Sequence, residues 1–85
     1  MKERDFRQSA IHLAMSLGYS DYHTHDSRRS DPGFPDDVLV HPGKKRVLFV
    51  EFKSDDGEVS PVQAYWHEIL AACDEEVYVP RLKDF

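Results

Sequence analysis

Residues 46–53 have the sequence RVLFVEFK, and this short apolar run bounded by charge decides the fold. A nearly continuous apolar stretch of this length is typical of a central strand in a sheet that is covered on both faces. Side chains alternate across a strand, so Glu51 and Lys53 share one face, with Cα atoms about 6.6 Å apart, and Phe52 faces the other way. A buried strand excludes charge unless another group compensates it. Taken alone, the two charges could therefore simply mark the solvated end of the strand.

The chain on either side of this strand divides into distinct elements. Apolar residues at 3.6-residue spacing, followed by Gly18, predict a first helix over residues 3–17. A second helix begins after Ser60, where Pro61 occupies the first helical position and Gln63 lies three residues after the cap. The intervening composition predicts strands at 19–25, 37–41 and 76–80, a loop at 26–35, and turns at 42–45 and 54–58. The order α-β-β-β-α-β predicts an α/β fold in which helices flank a mixed sheet.

Length and charge exclude several classes of protein. A chain of 85 residues forms one domain, here 1–85, and a core of this size supplies only about 3–5 kcal/mol, so a partner subunit would add stability. The net charge of -5 excludes a generally basic nucleic-acid binder. Residues 54–85 carry eight acidic and two basic side chains, so the acidity is concentrated there and local basic spots remain elsewhere.

Cysteine content and hydropathy indicate the cellular compartment. The single cysteine, Cys73, cannot form an intramolecular disulfide or a multi-cysteine zinc site. No apolar run approaches the ~20 residues of a transmembrane helix, and the first nine residues are too charged for a signal peptide. We therefore expect a cytoplasmic protein with no membrane partner.

A second carboxylate lies fifteen positions upstream of Glu51, on the neighbouring predicted strand. This residue is Asp36, which follows Gly33 and Pro35 in the sequence GFPD. A hairpin that joins the two strands can bring both carboxylates together, and they repel each other unless they hold a cation. Oxygen ligands favour Mg²⁺ or Mn²⁺ over zinc, and Lys53 beside them supplies a positive charge for a phosphate or a water.

These motifs together resemble the VRR-NUC nuclease domain, a branch of the PD-(D/E)XK superfamily with a restriction-endonuclease-like core. The resemblance rests on residues 33–36, 51–53 and 57–63 in this order and spacing, and it covers almost the whole chain. It implies metal-dependent cleavage of DNA phosphodiester bonds. Free-standing members resemble homodimeric nucleases that act on branched DNA, including four-way (Holliday) junctions, and resemble phage-encoded proteins.

The resemblance also implies a role for each matching residue. Asp36 and Glu51 match the metal-binding carboxylates, with the backbone carbonyl of Phe52 completing the protein ligands, and Lys53 matches the catalytic lysine. Gln63 matches a glutamine on the helix behind the site, and Glu3 matches a first-helix glutamate that steers the metal or its water. The residues alone leave alternatives open: Gln63 equally suits a capping box. A solvated helix start is the ordinary explanation of Glu3, and only the resemblance favours a site role for it, with Asp5 as the nearest alternative acid.

Candidate DNA contacts lie in the loop and the hairpin turn. Arg28 and Arg29 suit phosphates, and His25 or the neighbouring Asp26 could line the DNA groove. The two arginines could equally be solvated. Lys44, Lys45 and Arg46 form a second basic spot in the hairpin turn, less clearly near the site. A zinc site at His23 and His25 is disfavoured because no further His or Cys completes it.

Other features depart from the family pattern or have ordinary structural explanations. Asp37 doubles the acid after Asp36, should point to the opposite face and is not expected to be a ligand. Residues 73–76 replace a glycine-containing turn. Tyr65 and Trp66 lie on the apolar stripe of the second helix and suit the core or an interface more than base stacking, whereas His67 lies on the opposite face.

Two further functions compete with the branched-DNA nuclease. A non-catalytic DNA- or protein-binding module could keep the nuclease fold, although loss of Asp36, Glu51 or Lys53 would be its hallmark and all three are present. A nuclease acting on linear duplex is less attractive, because no separate sequence-reading region fits in this length.

Overall fold

The fold consists of two helices and a four-stranded mixed sheet, and a computed structural model describes residues 2–25 and 29–84. The elements follow the predicted order, so the predicted fold class is confirmed. Their bounds are α1 Glu3–Ser16, β1 Ser20–His23, β2 Asp37–His41, β3 Arg46–Val50, α2 Pro61–Ala72, β4 Glu76–Tyr78, and a short 3-10 helix Leu82–Asp84. No helix within the described ranges is long and apolar enough to cross a membrane.

The sheet has the order β1-β2-β3-β4, with antiparallel pairing in the first two ladders and parallel pairing in the third. The parallel pair requires the crossover through α2, which therefore lies against the sheet. The predicted strands 19–25, 46–53 and 76–80 were too long, because regular pairing stops at His23, Val50 and Tyr78. The chain after Val50 nevertheless stays attached, since Glu51 N donates to Tyr78 O (2.9 Å) and Lys53 N to Pro80 O (3.3 Å).

The two helices cover opposite faces of the sheet. Alternation sends one set of side chains toward α1, where the core residues are Phe6, Ile11, Leu39, Val50 and Phe52. Phe6 and Phe52 pack edge to face at 5.8 Å. On the α2 face, Phe34 packs against Phe49 at 5.9 Å and against Trp66 at 5.1 Å, so aromatic contacts fix the loop that leads to Asp36.

Positive backbone dihedrals mark two predicted boundaries. Gly18 has φ +100 just after α1, where a helix-terminating glycine was expected. After α2, Asp74 has φ +63 and replaces the glycine of the family pattern, since aspartate tolerates the left-handed region better than most residues. The last strand therefore begins at Glu76, as predicted.

Candidate metal and phosphate site

The site lies where β2 begins and β3 ends, on the α2 side of the sheet. Glu51 follows the last regular residue of β3 and is only 2% exposed. Asp36 immediately precedes β2, whose first residue pairs with Val50. The antiparallel register therefore brings Asp36 beside Glu51, which is the juxtaposition that the sequence predicted.

The loop before Asp36 is shaped by a glycine. Gly33 has φ +90, and a Cβ built at this position would lie 2.7 Å from the backbone carbonyl of Val62 in α2. Any larger residue would push the loop away from the start of the helix. The close approach sets the position of the buried Pro35 and of Asp36 after it.

Glu51 is an uncompensated buried acid. Burial, a hydrogen bond with Asp36 and the negative charge of Asp36 raise the pKa of Glu51 to about 9, and Glu3 adds a smaller contribution in the same direction. Its Oε1 atom is buried and has no hydrogen-bond partner among the described residues. The positive charge of Lys53 lowers this pKa only partly. Within residues 2–25 and 29–84, no ion pair neutralises Asp36 or Glu51.

This donor set fits a hard divalent cation. Two adjacent carboxyl groups, one with a buried oxygen that lacks a hydrogen-bond partner, are stabilised by a cation that displaces the proton between them. In the described part of the chain, no cluster of three or more His, Cys, Asp and Glu side chains could hold a metal. Two carboxylates completed by a backbone carbonyl and water are a ligand set that Mg²⁺ accepts.

Gln63 both caps α2 and lines the site. Its Oε1 accepts from Ser60 N (2.9 Å) while the Ser60 hydroxyl accepts from Gln63 N (3.3 Å), which is the complete capping box. Gln63 also lines a cavity of about 250 Å³ together with Asp36. Among the described residues its amide nitrogen has no partner, so the two interpretations of Gln63 are compatible: the oxygen caps and the NH₂ group is available to a ligand.

Glu3 lies beside the carboxylates, at the start of α1. It lines a second cavity, of about 560 Å³, together with Asp36 and Phe52. Its rival Asp5 does not line this cavity. The structure therefore brings Glu3 near Asp36 and Phe52, and its negative charge reaches Glu51.

His67 is the residue that sequence reasoning misjudged. It was expected to face away from the interior, yet its Nε2 is buried without a hydrogen-bond partner among the described residues. Burial, and secondarily the charge of Lys53, lower its pKa. His67 follows Gln63 by one helical turn, so the two side chains lie on the same side of α2, and this i, i+4 spacing was the available signal.

The candidate DNA contacts are dispersed. His25 is exposed and packs edge to face with His23 at 5.8 Å. Arg29 is exposed in the loop that precedes the cavity, and Arg28 lies outside the described residues. Lys44 and Lys45 are exposed in the β2–β3 turn, at the end of the sheet opposite to Asp36. The structure therefore does not bring these two lysines to the carboxylates.

Asp37 lies on the other face, as alternation predicted. It is fully buried and accepts hydrogen bonds from Arg7 Nε (2.8 Å) and Nη2 (2.6 Å). Its Oδ1 is also 3.5 Å from His23 Nδ1. Asp37 is thus fully engaged by the chain itself.

Comparison with known proteins identifies the family. A family model described as the VRR-NUC domain matches residues 4–83. The chain belongs to the VRR-NUC family. A curated relative, the Fanconi-associated nuclease 1 homolog of Schizosaccharomyces pombe, is 38% identical over 56 residues. This match covers 66% of the present chain but only 8% of that relative, and no solved structure matches significantly. The VRR-NUC assignment supports a nuclease function for the site described above.

Proposed function

We propose that this VRR-NUC domain is a Mg²⁺- or Mn²⁺-dependent endonuclease that hydrolyses DNA phosphodiester bonds, selects branched DNA such as four-way junctions, and acts as a homodimer. The observation that carries the proposal is the Asp36–Glu51 pair, in which Glu51 is buried with an orphaned oxygen and Asp36 is half-buried, next to Lys53 and Gln63. Ionised Glu51 is unfavourable in this position, because its burial and the negative charge of Asp36 both disfavour that form.

The residues divide the chemistry among them. Asp36, Glu51 and the carbonyl of Phe52 would hold the ion, which when bound supplies a Lewis acid for the phosphate and a water of lowered pKa. Lys53 carries a fixed positive charge toward the same place and stabilises negative charge that develops on the phosphate. The Gln63 amide donates a hydrogen bond that orients a water or a phosphate oxygen, while Glu3 accepts one at the cavity rim.

DNA contacts follow from the placement of the basic side chains. His25 and Arg29 are adjacent in sequence to the cavity-lining residues Thr24 and Ser30 and would contact phosphates close to the cleaved bond. Arg28 lies outside the described residues and is proposed to add a phosphate contact from its position in the sequence. Lys44 and Lys45 lie at the far end of the hairpin and would contact more distant phosphates. Because the chain is acidic overall, binding should depend on these local contacts and weaken steeply with salt.

An apolar groove between α1 and the sheet supports the homodimer. The groove measures about 260 Å³ and contains Leu13 (63% exposed) and Leu17 (59%). Leaving such side chains in water forfeits about 25 cal/mol per Å² of apolar surface, which a second copy would recover. Sedimentation should show a dimer, and Leu13→Glu should dissociate it. Met15→Glu is the matched control, since Met15 is 55% exposed on the same helix but does not line the groove.

The function is tested with end-labelled linear duplex, flap and four-way DNAs at equal concentration, in Mg²⁺, Mn²⁺ or EDTA. We expect metal-dependent cleavage that is greatest on branched substrates. Lys53→Ala should lower the rate at least about 100-fold, whereas Lys83→Ala, an exposed lysine outside the site, should not. Full activity in Lys53→Ala would refute the assigned chemistry.

Two other outcomes would favour the competing functions. Equal cutting of linear duplex would remove the branch selectivity and leave a general nuclease. DNA binding that is unchanged by metal, with no cleavage of any substrate and no divalent-ion binding by calorimetry, would indicate a non-catalytic binding module.

A further inference from the structure

An aromatic cleft opens beside the cavity that contains Asp36. It has a volume of about 250 Å³ and is lined by Tyr22, Thr24, Ser30, Asp31, Phe34 and Trp66. Four of these residues, Thr24, Ser30, Asp31 and Phe34, also line the cavity of Asp36 and Gln63. The two spaces are therefore neighbours that share a wall.

Two of the three rings of the cleft, Phe34 and Trp66, are held in place before any ligand binds. Trp66 Nε1 donates to Pro32 O (3.1 Å), and its ring packs edge to face against Phe34 at 5.1 Å. Tyr22 faces them from β1 and is 66% exposed, although it is a large aromatic side chain. Preformed aromatic walls lose little entropy when they bind a flat molecule.

The chemistry of the lining selects the occupant. Three aromatic rings, two hydroxyl-bearing residues and one carboxylate line the cleft, and no lysine or arginine is among its described lining residues. Asp31 repels a phosphate group. It accepts hydrogen bonds from amino groups such as those on base edges, and the rings offer stacking surfaces to a neutral heterocycle.

We propose that this cleft binds an unpaired nucleobase of the DNA, turned out of the helix next to the phosphate that lies at Asp36 and Glu51. The inference rests on the proposed nuclease function and deepens it, because it assigns the branch preference to a named surface. Bases at a branch point are already partly unpaired, so they enter the cleft at a lower cost than bases in a continuous duplex. Stacking is tolerant of sequence, which suits a domain too small for a separate sequence-reading region.

The chain provides its own reporter for the test. Trp66 is the only tryptophan, so a base that stacks in the cleft will change the intrinsic fluorescence. The protein is titrated in Ca²⁺, a cation with oxygen ligands that can take the place of Mg²⁺ at Asp36 and Glu51, with a splayed-arm DNA and with a fully paired duplex of the same sequence; electrophoresis of the recovered DNA checks that it stays uncut. Fluorescein anisotropy on the same DNAs gives the Kd. We expect tryptophan quenching by the splayed DNA and little by the duplex.

Variants at Tyr22 sharpen the test. Tyr22→Ala should weaken binding of the splayed DNA by about five-fold or more, the loss expected for one stacked base, and leave duplex binding unchanged. Tyr22→Phe keeps the ring and should bind like the wild type. Because Tyr22 is exposed, circular dichroism should show the same fold in all three proteins.

The outcomes separate this inference from the nuclease proposal. Equal quenching by splayed and paired DNA, or an unchanged Kd in Tyr22→Ala, would overturn the base-binding cleft even if the protein cuts DNA. Selective quenching in a protein that fails to cut any substrate with Mg²⁺ or Mn²⁺ would support the cleft and refute the nuclease.

Discussion

Asp36 and Asp37 are consecutive in the chain, yet they occupy opposite faces of the sheet and opposite electrostatic situations. On the α1 face, Asp37 is bound by Arg7 and approached by His23. On the α2 face, the half-buried Asp36 meets a buried acid, Glu51, without an ion pair from the described residues. The charge of Asp37 is balanced by Arg7 and stabilises the fold, whereas Asp36 lacks such a partner among the described residues and suits a cation from solution.

The largest expected effect is a loss of stability when the partner of Asp37 on the α1 face is removed. Arg7→Ala leaves Asp37 buried without its principal partner and should lower the free energy of unfolding by about 3–5 kcal/mol, comparable to the whole stability expected at this size. Thermal melts by circular dichroism would measure the loss. Arg4→Ala, at an exposed arginine of the same helix, should change stability by less than about 0.5 kcal/mol. Similar melts for the two variants would mean that the buried pair has no special role.

The corresponding substitution on the α2 face, at Asp36, should lower activity and leave the fold unchanged. Asp36→Asn removes a proposed ligand and should reduce metal-dependent cleavage at least about 100-fold, equivalent to about 3 kcal/mol of transition-state stabilisation. Asp56→Asn, at an exposed acid in the turn, is the control and should cut normally. If Asp36→Asn unfolds the protein, the contrast between the two faces fails.

Glu51→Gln should stabilise the metal-free protein. The folded-state pKa of Glu51 is about 9 against an ordinary value of 4.5, so between these pH values the folded state retains a proton that the unfolded state releases. Wild-type stability should therefore fall as pH rises through this window, and the variant should not share that slope. In EDTA we expect a gain on the order of 1–3 kcal/mol at pH 8 and a smaller gain at pH 5, measured by urea denaturation. If Glu51→Gln were less stable than the wild type at pH 8, the burial of Glu51 would not be unfavourable.

The smallest effect concerns the acid next to the neutralised pair. Burial, then hydrogen bonding with Asp37, raise the pKa of Asp21 from 3.8 to about 6, while Arg7 opposes the shift. Stability should decline as pH rises from about 4 to 6, and Asp21→Asn should flatten that decline by roughly 1 kcal/mol. Asp5→Asn, exposed on α1, should leave the slope unchanged.

Local sequence rules predicted most of the candidate site. Alternation along one strand put Glu51 and Lys53 together and separated Asp36 from Asp37, and hairpin register brought Asp36 to Glu51. The capping pattern predicted the position of Gln63 at the start of α2, while its proposed site role came from the family resemblance. All of these depend on near neighbours or on a single hairpin.

The features that sequence reasoning missed depend on packing between distant elements. Arg7 and Asp37 are 30 residues apart, and their contact follows from how α1 lies on the sheet. His67 was assigned to an outer face because a helical period shows which residues share a side, but not how many sides the fold covers. Tyr65 was assigned to the core or an interface; its 58% exposure places it outside the core, and the interface alternative stays a prediction.

The segment that carries Glu51 and Lys53 is anchored to the last part of the chain. Beyond the regular strand, these two residues are held by backbone hydrogen bonds to Tyr78 and Pro80, and the Arg81 guanidinium ties down the following turn through Ser54 O (2.7 Å) and Gly57 O. Mechanical load on residues 78–81 would thus reach the site directly. The amide protons of Glu51 and Lys53 should accordingly exchange with solvent only when this C-terminal segment detaches, which makes them a gauge of its docking.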